Sequence, residues 1–407
     1  MTDPRVAIVT YTTRPRGGPV HAVRLAEELH ALGFPVHLFA LGDPAEGFFR
    51  PVAVPHTVLP APVRAATLED RVFAAAHALE TGLRPLAARF DIVHAEDCIA
   101  ATAVLRLRDA GAAWRVLRTV HHVDDFTTPA LIQCQERSID EPDLRLVVSE
   151  HWRGRLLEEH GVDSLVVRNG VDLERFDSVD PALARSLRER IGAADRFVFL
   201  TVGGIEPRKG SRELFEALAA VRHLEPRPLL AIVGGHSFQD YEAYRQGVFD
   251  RAATLGLREG EDFVRPGTVA DDELPGWYAA ADAFAFPSAK EGFGIVVLEA
   301  LAAGLPVVTS DLPVFREYLT PDADALMVPV GSSFELAGAM ERLVREPELR
   351  SRLAATGPAV ARRFPWSDTA RAHVRIYRDL SVRPSRTAGS PIARPSPTVR
   401  PSEAATS

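Results

Sequence analysis

The chain has 407 residues, of which 46% are hydrophobic and 25% are charged, and its formal net charge is −8. This composition is typical of globular proteins, and the length allows two domains with a core each. The excess of acidic residues argues against a dedicated nucleic-acid binder. Two isolated cysteines, Cys98 and Cys134, are too few for a disulfide framework or a zinc site, so we expect both to be small core residues.

The N-terminal residues run directly into a strand pattern, without an apolar signal segment. Nothing in the chain approaches roughly 18 consecutive apolar residues, the length that suggests a membrane span. We therefore expect a cytoplasmic protein. Membrane association through a basic amphipathic face stays a hypothesis, because no helix predicted in the first half is strongly basic.

The first half alternates apolar runs with amphipathic segments. Strands are predicted at 5–11, 36–40, 91–94, 114–120, 144–149 and 164–167. Helices are predicted at 20–32, 68–89, 99–109 and 150–159. A polar loop at 12–19 contains Gly17 and Gly18, and the proline-broken segment 48–62 is expected to hold short strands and loops. Units of this kind build parallel sheets that bind ligands at the carboxyl ends of their strands.

Two polar clusters stand at such strand ends. Glu96 and Asp97 follow the strand at 91–94, and His121 and His122 follow the next strand. A histidine at this edge of a parallel sheet has a better claim to function than one on a helix face. A structural role is the alternative for both clusters.

The charged helical segment 177–194 is interpreted as a hinge, after which a second series of α/β units begins. Strands are predicted at 197–202, 229–233, 263–266, 281–287, 307–310 and 325–328. Helices are predicted at 212–222, with Ser211 as its cap, and at 241–255, 273–280, 295–304, 315–319, 333–345, 348–363 and 366–380. The loop at 203–210 offers glycines with Arg208 and Lys209, which suit a diphosphate, although a solvated pair is the alternative.

The stretch from Glu291 to Gly304 gives the strongest functional signal. An apolar helix is predicted to begin near Ile295 and to end at Gly304, where glycine suits a left-handed cap. Its free N–H groups would lie at 292–295, beside two glycines, and such helix ends attract phosphates. Glu291 and Glu299 stand at most roughly 12 Å apart, about the span of a diphosphate between two hydroxylated rings. An ordinary crossover with two solvated glutamates is the alternative.

In order and spacing, these motifs resemble those of retaining glycosyltransferases of the GT-B fold, of the family 4 type (glycosyltransferases group 1). The similarity extends over nearly all of residues 6–380. The matching stretches are Gly17-Gly18, 91–94, 119–121, 169–172, 202–210, 267–269, 278–282, 286–288, the pair Glu291 and Glu299, and 304–308 with Glu317.

The resemblance implies two Rossmann-like α/β domains that face each other across an interdomain cleft. Residues 1–178 would bind the acceptor, and residues 179–365 would bind the nucleotide sugar. The final helix, at 366–382, would cross back onto the first domain, and closure of the domains would exclude water. In the tail 383–407, ten of 25 residues are Pro or Ser and none is aromatic, so we predict a disordered segment without a core.

The resemblance also implies roles for single residues. Glu291 would hold the hydroxyl groups of the transferred sugar in a pocket shaped by the backbone of Gly292, Phe293 and Gly294. Glu299 would bind the ribose of the nucleotide.

Lys209 would neutralise the departing diphosphate. The helix end at Ile295 and the Gly17-Gly18 loop would assist it. Many relatives carry an arginine where this chain has Gly204. Either Arg208 reaches in, or Lys209 and the helix end suffice.

Catalysis would involve His121, Glu291 and Lys209, with His121 beside the donor sugar. The acceptor would attack on the same face from which the leaving group departs, and the leaving phosphate would take the acceptor's proton. No enzyme nucleophile is then needed, unlike in two-carboxylate retaining hydrolases. No metal or other cofactor is implied, and the aspartates at 124–125 and at 322 and 324 are not interpreted as metal sites.

The substrates themselves are not readable from the chain. A UDP-sugar is the commonest donor of such enzymes, and the acceptor could be a small molecule, a lipid-linked sugar or a glycan. A phosphorylase or an epimerase of the same fold and a catalytically inactive relative are alternatives. A dinucleotide-binding oxidoreductase would need the G-x-G-x-x-G spacing that 12–19 lacks. A solute receptor would need a signal segment.

Overall fold

The computed structural model describes residues 2–235, 238–239 and 241–382. Each half of the chain builds one parallel sheet, with a hydrophobic core on both of its faces. Double-sided burial explains why the strands are continuous apolar runs rather than alternating patterns.

The first sheet has seven parallel strands in the order β3-β2-β1-β4-β5-β6-β7. They are β1 (Val6–Thr10), β2 (Val36–Gly42), β3 (His56–Pro60), β4 (Ile92–Ala95), β5 (Arg115–Val120), β6 (Leu144–Val147) and β7 (Leu165–Val166). Its helices are α1 (Gly17–Ala31), α2 (Leu68–Leu83), α3 (Cys98–Asp109), α4 (Pro129–Asp140) and α5 (Glu150–His160).

The connection between the halves contains two short helices, α6 (Leu173–Asp177) and α7 (Pro181–Arg190). Phe176 of α6 and Leu187 of α7 belong to a core cluster of the second half. Both helices therefore pack with the second sheet's domain.

The second sheet has six parallel strands in the order β10-β9-β8-β11-β12-β13. They are β8 (Phe197–Val202), β9 (Pro228–Val233), β10 (Phe263–Gly267), β11 (Ala283–Phe286), β12 (Val307–Ser310) and β13 (Leu326–Val328). The remaining helices are α8 (Ser211–Val221), α9 (Glu242–Thr254), α10 (Leu274–Ala280), α11 (Ile295–Ala302), α12 (Pro313–Arg316), α13 (Ser333–Arg345), α14 (Pro347–Ala361) and α15 (Trp366–Val382).

In both sheets the strand order reverses beside the first strand, between β1 and β4 and between β8 and β11. Such switch points leave a crevice at the carboxyl ends of the strands, where open α/β sheets bind ligands. The predicted class, two Rossmann-like domains that face each other across a cleft, is confirmed. The tail predicted to be disordered, 383–407, lies outside the described residues.

The last helix, α15, packs on the first domain. Tyr377 and Leu380 are buried in a core that they share with residues of α1, β1 and β2. Its start touches the segment after β7, where a Cβ at Gly170 would lie 2.5 Å from the backbone nitrogen of Trp366. The chain thus returns to the domain in which it began.

Some predicted elements differ from the structure. Gly17 and Gly18 form the first turn of α1 rather than a loop, since the first turn leaves N–H groups free and therefore tolerates Pro19. Ser211 lies inside α8 and does not cap it; Gly210 occupies the cap at φ 64°, where a Cβ would collide with the Pro287 carbonyl.

Two further differences concern the helices of the first half. The α-helix predicted at 68–89 ends at Leu83. The chain then forms a 3-10 helix from Arg84 to Arg89, which contains Pro85. Helix α4 was missed, although Thr128 and Pro129 provide a typical start. The predicted left-handed glycine at the end of α11, Gly304, is confirmed with φ 66°.

Candidate active site

A cavity of about 670 Å³ lies between the domains, at the carboxyl ends of both sheets. It is bordered by the segments that follow β1, β4 and β5 in the first domain and β8, β9 and β11 in the second. All the sequence-predicted site residues line it: Gly17, Gly18, His121, Arg208, Lys209, Glu291, Gly292, Phe293, Gly294, Ile295 and Glu299.

The amino end of α11 faces this cavity. Gly294 caps the helix in the left-handed region at φ 86°. A Cβ at Gly292 would lie 2.1 Å from the carbonyl oxygen of His121, so the two domains meet there backbone against backbone. Among the described residues, the amides of Ile295 and Val296 find no acceptor, and both residues line the cavity. This helix end can bind an anion.

Glu291 stands directly before that end, inside a charged cluster. Its Oε1 accepts a hydrogen bond from Lys209 Nζ at 2.6 Å and lies 3.4 Å from a terminal nitrogen of Arg208. The buried Ser288 hydroxyl lies 2.7 Å from the same oxygen, and Arg208 also pairs with Glu206 at 3.0 Å. One short loop after β8 thus supplies both cations.

Burial and charge act in opposite directions within this cluster. Burial alone would raise the pKa of Glu291, but Lys209 and Arg208 hold that pKa below its ordinary value. Burial and the neighbouring Arg208 lower the pKa of Lys209, and Glu291 opposes this shift. Glu291 is therefore an anion at neutral pH, and Lys209 and Arg208 neutralise it. A phosphate could form ion pairs with the same two cations.

Glu299 lies one turn into α11 and faces the cavity. Its Oε2 accepts a hydrogen bond at 2.8 Å from the hydroxyl group of Tyr278, on α10. Burial raises the pKa of Glu299, while the Tyr278 hydrogen bond opposes the rise. The sequence analysis quoted Tyr278 within a motif without assigning this contact.

His121, at the end of β5, belongs to a buried network. Its Nε2 lies 2.8 Å from Glu96 Oε2, and His21 Nδ1 of α1 lies 2.9 Å from the same oxygen. Burial would raise the pKa of Glu96, but His21 and His94 hold it well below its ordinary value. Burial lowers the pKa of His121 to about 4. At neutral pH His121 therefore donates its Nε2–H to a carboxylate and keeps Nδ1 as an acceptor.

The partners of His121 were not predicted as site residues. Glu96 stood out as a polar residue at a strand end, but nothing in the sequence linked it to His121. His21 lies on a helix, four residues after Gly17, and carries no recognisable signal. The contact between Glu96 and His121 depends on the pairing of β4 with β5, and the contact of His21 depends on the packing of α1 against the sheet.

The same three side chains have the spacing of a metal site. Ligand atoms of His21, Glu96 and His121 all lie within 4.8 Å of one another. A metal ion at this position would have to displace both hydrogen bonds to Glu96. In the observed arrangement both histidines bond to Glu96 Oε2, while the buried Oε1 has no hydrogen-bond partner and lies 3.4 Å from His94 Nε2.

Gly204 occupies the position at which the family resemblance led us to expect an arginine. A Cβ there would lie 2.6 Å from the carbonyl oxygen of Gly235, so this backbone does not accept a side chain without moving. Arg208 lines the cavity and contacts Glu291. Both cations of this loop, Arg208 and Lys209, therefore reach the cavity.

Two protein-family models match the chain. Residues 185–360 match glycosyl transferases group 1, and residues 15–175 match glycosyltransferase family 4. The D-inositol 3-phosphate glycosyltransferase of Frankia alni is 36% identical over 252 residues, which cover 60% of this chain and 60% of that relative. The phosphatidyl-myo-inositol mannosyltransferase of Mycobacterium leprae is 29% identical over 376 residues, which cover 91% of this chain and 95% of that relative.

Solved structures share the fold. Sucrose-phosphate synthase from Thermosynechococcus elongatus superposes with a TM-score of 0.78 at 20% identity and covers 93% of this chain and 99% of its own. Anabaena HepE in complex with UDP and glucose superposes with a TM-score of 0.77 at 19% identity. The match covers 92% of this chain and 100% of the HepE chain.

Two facing Rossmann-like domains with a helix end in the cleft define the GT-B class. Within that class, the chain belongs to the glycosyltransferases group 1. In the described part of the chain, none of the helices is long and apolar enough to span a bilayer.

Proposed function

We propose that the protein transfers a hexosyl group from a nucleoside diphosphate sugar, with UDP as the first nucleotide to test, to an acceptor hydroxyl. The transfer retains the anomeric configuration and uses no metal ion. The observation that carries the proposal is the convergence of Glu291, Lys209, Glu299 and the free amides of α11 on one interdomain cavity.

Donor binding divides among these groups. The diphosphate lies against the amides of Ile295 and Val296 and draws Lys209 toward its oxygens, supported by Arg208. Glu291, released from Lys209, accepts hydrogen bonds from the sugar hydroxyl groups. Glu299 accepts hydrogen bonds from the ribose.

In the reaction, the bond between the anomeric carbon and the phosphate oxygen breaks, and a bond from that carbon to the acceptor oxygen forms on the same face. The acceptor proton passes to the leaving phosphate oxygen. Lys209 and the α11 end stabilise the negative charge that develops on this phosphate. The neutral His121, with the Glu96 carboxylate behind it, faces the positive charge that develops on the sugar.

The names of the relatives support a transferase acting on inositol-type acceptors, free or lipid-linked. We propose that the acceptor enters the first-domain side of the cavity. That side is formed by the segments after β1, β4 and β5, opposite the donor cluster.

The test combines binding and turnover with the purified full chain. Saturating UDP, GDP and ADP are compared by thermal shift, since a ligand at about 100 times its Kd stabilises by about 2.7 kcal/mol. We expect a matching UDP-sugar to be turned over in the presence of EDTA, with the product's anomeric configuration equal to the donor's by NMR. Absence of any nucleotide-induced shift would overturn the donor site, and loss of activity in EDTA would overturn metal independence.

A further inference from the structure

The first domain contains two buried arginines that make no ion pair with the described residues, and one of them, Arg118, lines the interdomain cavity. Arg118 on β5 is 5% exposed, and Arg71 on α2 is 8% exposed. The Nε atom of each is buried without a hydrogen-bond partner. Arg118 donates to the carbonyl oxygens of Ala95 and Thr119, which carry no compensating charge.

Unpaired buried charge is costly. Removing a cation from water without a counter-charge is unfavourable, so buried arginines are normally paired with a carboxylate or a ligand. Burial accordingly lowers the pKa of Arg118, against the attraction of nearby acidic groups. The carboxylates of Asp97, Glu96 and Asp124 attract Arg118 but make no ion pair with it, so its unpartnered Nε–H is open to an anion that enters the cavity.

Asp97, one of those acidic groups, does not supply that anion. Its two oxygens accept hydrogen bonds from the amides of Tyr11 at 2.9 Å and Ala100 at 2.7 Å, and it makes no ion pair with Arg118. Burial raises the pKa of Asp97 to about 6, so it is the most easily neutralised acid beside Arg118. Asp97 caps α3 instead.

The surroundings of Arg118 form a pocket. Arg118 lines the cavity, together with apolar side chains from several elements: Val72, Ile99, Phe126, Ile139 and Phe238. The guanidinium carbon of Arg71 lies 6.0 Å from the centre of the Phe238 ring, but Arg71 itself does not line the cavity. An occupant would place carbon atoms against the apolar wall and an anionic group at the arginine.

We propose that Arg118 forms a subsite for an oxyanion of the acceptor, a phosphate monoester or a carboxylate. Guanidinium nitrogens suit both groups, because planar pairs of N–H donors match planar or tetrahedral oxyanions. The subsite rests on the proposed function, since it assigns the acceptor to this side of the cavity. It is separate from the diphosphate site, which is built by the second domain.

The experiment measures anion binding while the donor site is occupied. The full chain is saturated with UDP, and glucose, glucose 6-phosphate, glucuronate and inorganic phosphate are titrated calorimetrically at matched ionic strength. We expect the anionic ligands to bind at least about 10-fold more tightly than glucose, as is usual for a hydrogen-bonded charged group. Preference for glucose 6-phosphate or for glucuronate distinguishes the phosphate from the carboxylate.

Variants locate the subsite. Arg118→Met should lose about 10-fold or more of the anion affinity, while its UDP affinity stays unchanged. Arg84→Met, which removes an exposed arginine of the same domain, serves as the matched control. If Arg118→Met does not fold, the wild-type comparison of charged with neutral ligands decides.

The outcomes separate the two proposals. A wild-type chain that binds UDP but takes glucose and its anionic derivatives equally well would overturn the subsite alone. Full anion affinity in Arg118→Met would overturn it as well. Failure of the wild-type chain to bind UDP, with anions still bound in an Arg118-dependent way, would overturn the donor assignment and leave the subsite standing.

Discussion

Lys209 is the residue on which the electrostatics of the cleft depend. Its Nζ lies 2.6 Å from Glu291 Oε1 and 4.5 Å from the centre of the Phe286 ring. The ammonium group thereby lies over the face of an aromatic ring, near the amino end of α11. A diphosphate that enters competes with Glu291 for the same cation.

We predict that Lys209→Ala lowers kcat by about 100-fold or more, the usual cost of removing one preorganised donor from a developing anion. Arg208→Ala should have the smaller effect, because Arg208 divides its contacts between Glu206 and Glu291. Steady-state transfer assays would compare both with Arg212→Ala, an exposed position on α8. A Lys209→Ala enzyme with normal kcat would contradict the role of Lys209.

Glu299 gives a different expectation, because its proposed contact is to the nucleotide and not to the reacting atoms. Glu299→Gln should weaken UDP binding by about 10-fold, the worth of a hydrogen bond to a charged group, with little change in kcat. Calorimetry with UDP would measure this, with Glu348→Gln, at an exposed position of α14, as control. A fall in kcat at unchanged UDP affinity would reassign Glu299 to the chemical step.

At the scale of elements, a histidine on β4, the central strand of the first sheet, connects α15 to that sheet. His94 of β4 bonds to the Tyr377 hydroxyl at 2.7 Å and to the Thr119 hydroxyl at 2.6 Å. The ring of His373, also on α15, stacks on His94 with centroids 5.5 Å apart. These groups surround Glu96, so the last helix closes the rear of the network that holds His121.

We predict that this network makes stability fall as the pH falls. Burial lowers the pKa of His121 and of His373 from 6.5 to about 4. The unfolded chain therefore binds more protons in this window, and stability is full above about pH 6.5 and is lost toward pH 4. Each histidine contributes a slope of up to about 1.4 kcal/mol per pH unit.

Denaturant unfolding between pH 4 and 7 would test the slope. His373→Gln should flatten it by about one histidine's share, whereas His77→Gln, at an exposed position of α2, should not. Equal slopes in His373→Gln and the wild type would show that His373 does not titrate in this way.

The elements themselves were largely predictable, because doubly buried strands are unbroken apolar runs and helix ends carry glycine or proline. The residues of α11 and its flanks could also be located, since their chemistry is encoded within nine consecutive positions. What escaped prediction depends on contacts between distant segments. Tyr377 lies 283 positions after His94, and the pocket around Arg118 combines four elements whose packing no local pattern reveals.

At the scale of the whole molecule, the domains are fastened on one side of the cleft. Glu317, just after α12, accepts hydrogen bonds from the amides of Glu150 and His151 at the start of α5, at 3.1 and 2.9 Å. A carboxylate at a helix start is favourable, and Arg168 pairs with it at 3.3 Å. Lys290 and Asp125 add a further ion pair across the cleft at 2.7 Å.

We predict that Gly292→Ala prevents this closed arrangement. Its Cβ would meet the His121 carbonyl at 2.1 Å, and relief requires the domains to separate locally. Turnover should fall by about 100-fold or more, because displacement of reacting groups by about 1 Å has that effect. Transfer assays and small-angle scattering would measure activity and closure.

The matched control is Gly338→Ala on α13, where a Cβ meets nothing within 4 Å. Alanine within a helix costs nothing relative to glycine, so this variant should retain full activity. An active, compact Gly292→Ala protein would mean that the contact between Gly292 and His121 is dispensable.

One indole group spans the junction of the two domains. Trp152, on α5, is 1% exposed, and its Nε1 donates a hydrogen bond at 2.9 Å to the carbonyl oxygen of Glu291. Any opening of the cleft therefore breaks the hydrogen bond from the indole to Glu291 and exposes the indole to water. Of the four tryptophans, Trp114 and Trp277 lie within single domains, and Trp366 sits at the start of α15. Trp152 is thus an intrinsic fluorescence probe of domain motion, since its emission would shift to the red whenever the cleft opens.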